Sequence, residues 1–246
     1  MVVALDIGNT NIHFGLYHGE TLVKHLIYPL SEKTVENKMR KAIDGRELEG
    51  GAIASVVPSL TPRYIQFFKR KLSLSPLLIS PDVECHLTFG YYKPHQLGAD
   101  RIAAAAGGLA RYKRDLIIIN FGTATILDII FKNGRYPGGI ITPGVETAMN
   151  ALASRTALLK EVPLKKRVHL IGRSTEECIQ SGIYNGTIAM VHGLIQMIKK
   201  TFKKRFLCIA TGGWSKVMAP HIPEITHVDS DLCLYGILKI YYYNAS

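Results

Sequence analysis

Two stretches of this sequence, more than a hundred residues apart, follow one order of events, and that duplication limits the fold more than any other feature. Val2-Val3-Ala4-Leu5 is a run of buried-strand type that ends in the loop Asp6-Ile7-Gly8-Asn9-Thr10-Asn11. Leu116-Ile117-Ile118-Ile119 is a second such run, ending in Asn120-Phe121-Gly122-Thr123-Ala124-Thr125. After each loop comes another strand (residues 12–17 and 125–131), a turn (His18-Gly19-Glu20 and Asn133-Gly134), and a third strand (21–28 and 135–141). The two halves share little identity, so the repeat lies in the fold. It predicts an α/β protein with a duplicated mixed β-sheet, each copy with flanking helices, around a central cleft.

Helical patterns fill the intervals at 34–43, 62–71, 100–112, 144–159, 175–202 and 232–243, and further strands are expected at 50–57, 77–79 and 206–210. No low-complexity linker separates the halves. The boundary falls near Tyr112–Asp115, which divides the chain into domains 1–113 and 114–246.

Composition narrows the class. At 246 residues and 47% hydrophobic content the chain can bury a substantial core, and nothing in it reads as disordered. The net charge is +11, with denser patches at Lys165-Lys166-Arg167 and at Lys199, Lys200, Lys203, Lys204 and Arg205. No zinc-finger spacing or other nucleic-acid motif accompanies them, so a solvated helix face is the better reading of the second patch and nucleic acid is not expected as a partner. The four cysteines, Cys85, Cys178, Cys208 and Cys233, form no C-x-x-C pair and have mostly apolar neighbours, which suggests buried free thiols. No run approaches ~20 apolar residues, and the N-terminus opens directly into a strand pattern. A cytoplasmic setting with no membrane partner follows.

The loops carry the chemistry. A glycine turn after a strand lets backbone N–H groups approach phosphate oxygens, and Thr and Asn side chains add donors. Gly8 with Thr10 and Asn11, and Gly122 with Thr123 and Thr125, supply these groups. Asp6, at the end of a strand, could hold Mg²⁺ directly or through water. Two such loops suggest a clamp on a nucleotide triphosphate, although D-x-G-N-T alone also describes a tight hairpin turn. Between them stands Gly98-Ala99-Asp100-Arg101. Asp100 reads either as a general base for a substrate hydroxyl or as the N-cap of the helix it opens. Arg101 reads as the cation for an acidic group on that substrate, as a partner of Asp100 or as a surface charge. Thr211-Gly212-Gly213 could pass close to a flat ligand such as adenine or be a plain β–α turn. His13 reads as packing or surface.

These segments together resemble one known family. D-I-G-N-T-N at 6–11, Y-x-x-P-x-x-L-G-A-D-R at 91–101, F-G-T-A-T at 121–125, G-G-I-I-x-P-G at 138–144, I-G-R-S-T at 171–175, Q-S-G-I-Y-x-G at 180–186 and A-T-G-G at 210–213 are similar, in order, to the motifs of type III pantothenate kinases. The resemblance implies two ribonuclease H-like domains of the acetate kinase/Hsp70/actin superfamily. It implies ATP-dependent phosphorylation of pantothenate, the first step of coenzyme A biosynthesis, by a homodimer with the pantothenate pocket near the interface. Carried over by position, Asp6, Ile7, Gly8, Asn9, Thr10, Asn11, Ile12 and His13 form the nucleotide loop, and Thr123 contacts ATP phosphates. Asp100 accepts the proton, and Tyr91, Gly98, Ala99, Arg101 and Thr175 line the pantothenate pocket. The cofactors implied are Mg²⁺ or another divalent ion with ATP, and a monovalent cation, K⁺ or NH₄⁺.

Two positions depart from the family. Where its members carry an Asp that binds the monovalent ion, this chain has Asn120, which keeps a carbonyl oxygen but no charge and so should bind that ion weakly. The family's acidic residue in the last helix corresponds to Tyr235. The alternatives to a pantothenate kinase are a superfamily kinase for another small acceptor and a non-catalytic relative acting as a transcriptional accessory protein.

Overall fold

The computed structural model describes residues 1–155, 162–163 and 169–245. The basic patch Lys165-Lys166-Arg167 and the end of the helix expected to 159 lie outside these residues.

Contacts divide the chain into two units. The first comprises Met1–Lys113, Lys132–Gly138 and Asp231–Ser246; the second comprises Arg114–Phe131 and Gly139–Ser230. The first crossing between them falls between Lys113 and Arg114. Two segments on its far side, Lys132–Gly138 and Asp231–Ser246, pack with the first unit and not with the second.

In the first unit, β1 (Val2–Ile7), β2 (Asn11–His18) and β3 (Thr21–Pro29) form an antiparallel meander. Helix α1 (Val35–Ile43) leads to β4 (Gly50–Ser55), which pairs in parallel with β1, and α2 (Thr61–Lys71) leads to β5 (Leu77–Leu78), parallel to β4. The sheet order is β3-β2-β1-β4-β5. A short strand, β6 (Thr88–Phe89), and a 3₁₀ turn, Pro94–Gln96, precede α3 (Ala99–Tyr112).

The second unit repeats the plan. β7 (Leu116–Phe121) pairs antiparallel with β8 (Ala124–Ile130). The third strand expected at 135–141 is broken at Pro137. Its first part, β9 (Arg135–Tyr136), pairs with β6 in the first unit, and only its second part, β10 (Gly138–Pro143), joins the second sheet. Proline has no N–H to give to a ladder, so the strand changes partner there. α4 (Val145–Arg155) and α5 (Thr175–Phe202) are followed by β11 (Leu207–Thr211), parallel to β7. α6 (Ser215–Met218) leads to β12 (Ile225–Val228), parallel to β11, and α7 (Leu232–Asn244) ends the chain. The order β10-β8-β7-β11-β12 matches the first sheet strand for strand.

Alternation along β1 sorts the first unit into two faces. Val3, Leu5 and Ile7 pack with Val35 and Met39 of α1 and with Tyr64, Phe67 and Phe68 of α2. The opposite face carries small residues, among them Ala4, Gly15, Ala52 and Ala54, and α7 lies on it: a β-carbon on Gly15 would sit 3.3 Å from Leu234. α7 in turn crosses α3 at glycines. A β-carbon on Gly107 would stand 2.5 Å from the Leu232 carbonyl, and one on Gly236 would collide with the Ala103 carbonyl. The run Ala103-Ala104-Ala105-Ala106-Gly107 is therefore a close-packing surface as well as a strong helix former. Asp6 lies on this same face, at the end of β1 where the covering helices begin.

Candidate active site

Two carboxylates meet at that point of the first unit. Asp6 ends β1 and Asp100 occupies the first turn of α3. Oδ1 of Asp6 is buried with no hydrogen-bond partner. Burial and the neighbouring Asp100 charge raise Asp6 from the ordinary 3.8 to about 7, against the lowering effect of a hydrogen bond from the Cys233 thiol. The sulfur of Cys233 also lies 3.6 Å from the main-chain oxygen of Asp100. Burial, with the charges of Asp6 and Asp100, pushes this thiol well above its usual range, so it stays protonated and can donate. Two acids sharing one buried corner repel each other, and a divalent cation would relieve that cost. Asp6 therefore suits a Mg²⁺ ligand. Among the described residues no cluster of three or more His, Cys, Asp or Glu could hold a metal by itself, so phosphate or water oxygens must complete such a site.

The cap of α3 is not the one expected as an alternative for Asp100. Gly98 is the N-cap, in extended conformation, and Asp100 sits inside the first turn, where its Oδ1 accepts the N–H of Arg101 at 2.8 Å. This carboxylate folds back over Gly98: a β-carbon there would lie 2.5 Å from Oδ1. Ala99 and Arg101 are buried, the latter only 7% exposed. Nη2 of Arg101 donates to the Tyr91 hydroxyl at 2.7 Å, and the guanidinium carbon is 5.6 Å from the centre of the Tyr91 ring. Tyr91 stands edge-on to Tyr136, on the strand that returns to the first unit. The structure thus brings together Asp6 with Asp100, and Tyr91 with Arg101.

The nucleotide loop is a tight turn in which Gly8 N–H donates to the Asn11 carbonyl at 3.0 Å, while Asn9 and Thr10 are exposed at its tip. His13 is the register partner of Asp6 on β2. It is neither plain packing nor surface: its Nδ1 lies 3.3 Å from Nε2 of His25, whose Nδ1 is 3.5 Å from Asp231. Burial and the His25 ring lower His13 from 6.5 to about 4, so it is neutral at neutral pH.

In the second unit, Asn120 stands where Asp6 stands in the first, two residues before the loop glycine on the central strand. Its Oδ1 would be 3.3 Å from a β-carbon on Gly122 and would collide with one on Gly212, whose φ is +87°. Thr123 is exposed, while its carbonyl accepts from Gly144 N at 3.0 Å and from the Thr147 hydroxyl at 2.6 Å. Thr175 is exposed on the first turn of α5, after the N-cap Ser174, whose hydroxyl accepts from Glu177 N at 3.2 Å.

Sequence reasoning missed Cys233, His25 and Asp231. Only the position of Cys233 at the opening of an apolar helix hinted at a role. Of the thiols expected to be buried, Cys178 is exposed and Cys233 half-buried; Cys85 and Cys208 are buried. Among the described residues no helix is long and apolar enough to cross a membrane.

The duplicated sheet and its two glycine loops define a class, the actin/Hsp70/sugar-kinase fold. A ROK family glucokinase from Streptomyces griseus, solved with glucose and AMPPNP, superposes with a TM-score of 0.55 at 13% identity, covering 97% of this chain and 98% of the other. A conserved Campylobacter jejuni protein, provisionally described as a Baf family transcriptional activator, superposes with a TM-score of 0.65 at 21% identity over 99% and 98%. At these identities both show the fold alone. The family comes from sequence: the type III pantothenate kinase model matches residues 2–197. A type III pantothenate kinase from Exiguobacterium sp. is 36% identical over 250 aligned positions, covering 98% of each chain. The chain belongs to the type III pantothenate kinase family.

Proposed function

We propose that this chain transfers the γ-phosphoryl group of ATP to the primary hydroxyl of pantothenate, giving 4'-phosphopantothenate and ADP, the first step of coenzyme A biosynthesis. Family membership supports the reaction, and the observation that carries the mechanism is the meeting of Asp6 and Asp100 in one corner of the first unit. Phosphoryl transfer asks a protein mainly for positioning and charge neutralisation, and this corner is built for both.

In this reading Asn9, Thr10 and Asn11, at the tip of the loop that runs from Asp6 to His13, hold phosphate oxygens; in the second unit the motif gives Gly122 and Thr123 phosphate contacts. Asp6 holds Mg²⁺, directly or through water, and the bound ion would draw charge from the phosphates as the transferred group leaves. Asp100 accepts the proton of the pantothenate hydroxyl as its oxygen bonds to phosphorus and the bond to ADP breaks. Its tie to the Arg101 N–H keeps it aimed. Arg101, steadied by Tyr91, pairs with the pantothenate carboxylate beside Gly98 and Ala99; Thr175 is assigned to pantothenate by its motif alone. Asn120 takes the place of the family's charged ligand for a monovalent cation and binds K⁺ or NH₄⁺ weakly.

A homodimer fits the exposed surface of the second unit. Gly182, Gly186 and Gly193 form a bare stripe on α5, where an added β-carbon meets nothing within 4 Å, and Leu170 and Ile171 are 72% and 77% exposed. The cytoplasm is the setting this chemistry implies. The accessory-protein reading is not favoured, because such a protein has no use for a close acid pair beside a phosphate loop. The deciding experiment is ADP release with and without pantothenate, alongside acetate, sugars and polyphosphate as acceptors. Turnover with another acceptor, and none with pantothenate, would replace the substrate assigned here.

A further inference from the structure

The chain has one tryptophan, Trp214, and it sits against the second glycine loop. Its backbone N–H donates to the Phe121 carbonyl at 3.1 Å, one residue before Gly122. Its indole N–H donates to Glu146 Oε1 at 3.1 Å, two residues beyond Gly144, which is itself bonded to Thr123. The Thr123 loop, the start of α4 and Trp214 therefore form one hydrogen-bonded assembly within the second unit. The turn that delivers the tryptophan requires glycine: at Gly212 φ is +87°, and a β-carbon would strike Asn120 Oδ1.

The ring is fixed at both ends yet only half-buried. Part of it packs against the second core beside Val217, and a β-carbon on the preceding Gly213 would meet nothing within 4 Å. Filling that core edge needs only an aliphatic side chain. A large flat ring, held by its one polar atom and left half-exposed, is a stacking platform, because every nucleobase offers a π-face.

We propose that Trp214, positioned by Glu146, is the wall on which the base of the nucleotide stacks, which makes it a nucleotide-binding residue of this kinase. The inference rests on the reading that the Thr123 loop holds the phosphates of the same nucleotide.

As the sole tryptophan, Trp214 reports on its own surroundings. ADP should change its fluorescence, whereas inorganic tripolyphosphate, which has phosphates and no base, should leave it nearly unchanged. By calorimetry, Trp214→Leu should weaken ADP about 10- to 100-fold and leave tripolyphosphate affinity as in the wild type. Trp214→Phe should restore most of the ADP affinity, and in turnover the Leu variant should raise KM for ATP with little change in kcat. Unchanged ADP affinity in a folded Trp214→Leu protein overturns the inference, as does an equal loss of ADP and tripolyphosphate, which would mark a structural role. If the Leu variant fails to fold, the Phe variant and the wild-type fluorescence decide: an unresponsive tryptophan in protein that calorimetry shows to bind ADP rejects the stacking role. Failure of the wild type to bind ADP at all overturns the kinase reading itself, and this inference with it.

Discussion

Gly98 and Asp100 compete for one volume: the space a β-carbon would need at residue 98 is held by the Asp100 carboxylate, 2.5 Å away. The backbone at Gly98, with φ −60° and ψ 139°, is open to any residue, so a substitution there displaces the carboxylate and otherwise presses only on Val56, 3.3 Å away. Gly98→Ala should lower kcat by about tenfold or more, the scale of a misplaced general base, while the unfolding temperature stays close to the wild type. Paired thermal melts and ADP-release kinetics check this; an unimpaired rate would show that the carboxylate has no fixed station.

Asp100→Asn removes the base without changing its size. It should cost about 10²- to 10⁴-fold in kcat with KM for ATP little altered. A near-wild-type rate would take Asp100 out of the mechanism.

Arg101 should be read out by the charge of the acceptor. Arg101→Met should lower kcat/KM for pantothenate by about 30-fold or more, the scale of a lost charge-assisted contact. With an analogue whose carboxylate is replaced by an amide, wild type and variant should converge. A loss of equal size on both acceptors would mean that Arg101 serves the pocket's shape and not the carboxylate.

Two buried groups should pull the stability of the unliganded protein in opposite directions with pH. Asp6 rises from 3.8 to about 7 on folding, so its contribution is whole below about 4 and is lost as pH climbs toward 7. His13 falls from 6.5 to about 4, so its contribution is whole above 6.5 and is lost as pH drops toward 4. In melts without divalent ions, Asp6→Asn should remove the loss on raising the pH and His13→Gln the loss on lowering it. Identical pH profiles for the wild type and both variants would contradict these assignments.

Asn120 leads to a simple ion experiment. Turnover should change little between K⁺-free buffer and high K⁺. A steep K⁺ dependence that Asn120→Ala abolishes would show that the amide oxygen suffices.

The duplication was legible because its signals are local. Each central strand opens with an unbroken apolar run that ends three residues before a loop glycine, and strand alternation with turn residues marks the rest. That Tyr91 and Arg101 share a pocket came from the family resemblance, and the hydrogen bond between them was not foreseen. What stayed hidden depends on partners distant in sequence. The apolar pattern of α7 says that it is buried but not against which sheet, and only the glycine contacts at Gly107 and Gly236 reveal that it belongs to the first unit. For the same reason Cys233 could not be linked to Asp6, nor His13 to His25 and Asp231. The break at Pro137 was visible as a residue, but the two-residue strands it separates, β6 and β9, are too short to leave a pattern. Asp100 was ambiguous because Gly98, with no side chain to signal it, takes the cap.

The placement of α7 bears on how the molecule is made. Its thirteen residues, Leu232–Asn244, complete the layer over a sheet that begins at Val2, and the whole second unit is translated in between. A nascent chain can close its second sheet while the first still lacks a cover and Asp6 still lacks its thiol neighbour. The phosphate-handling corner can mature only when α7 docks, after the chain of the second unit has been made.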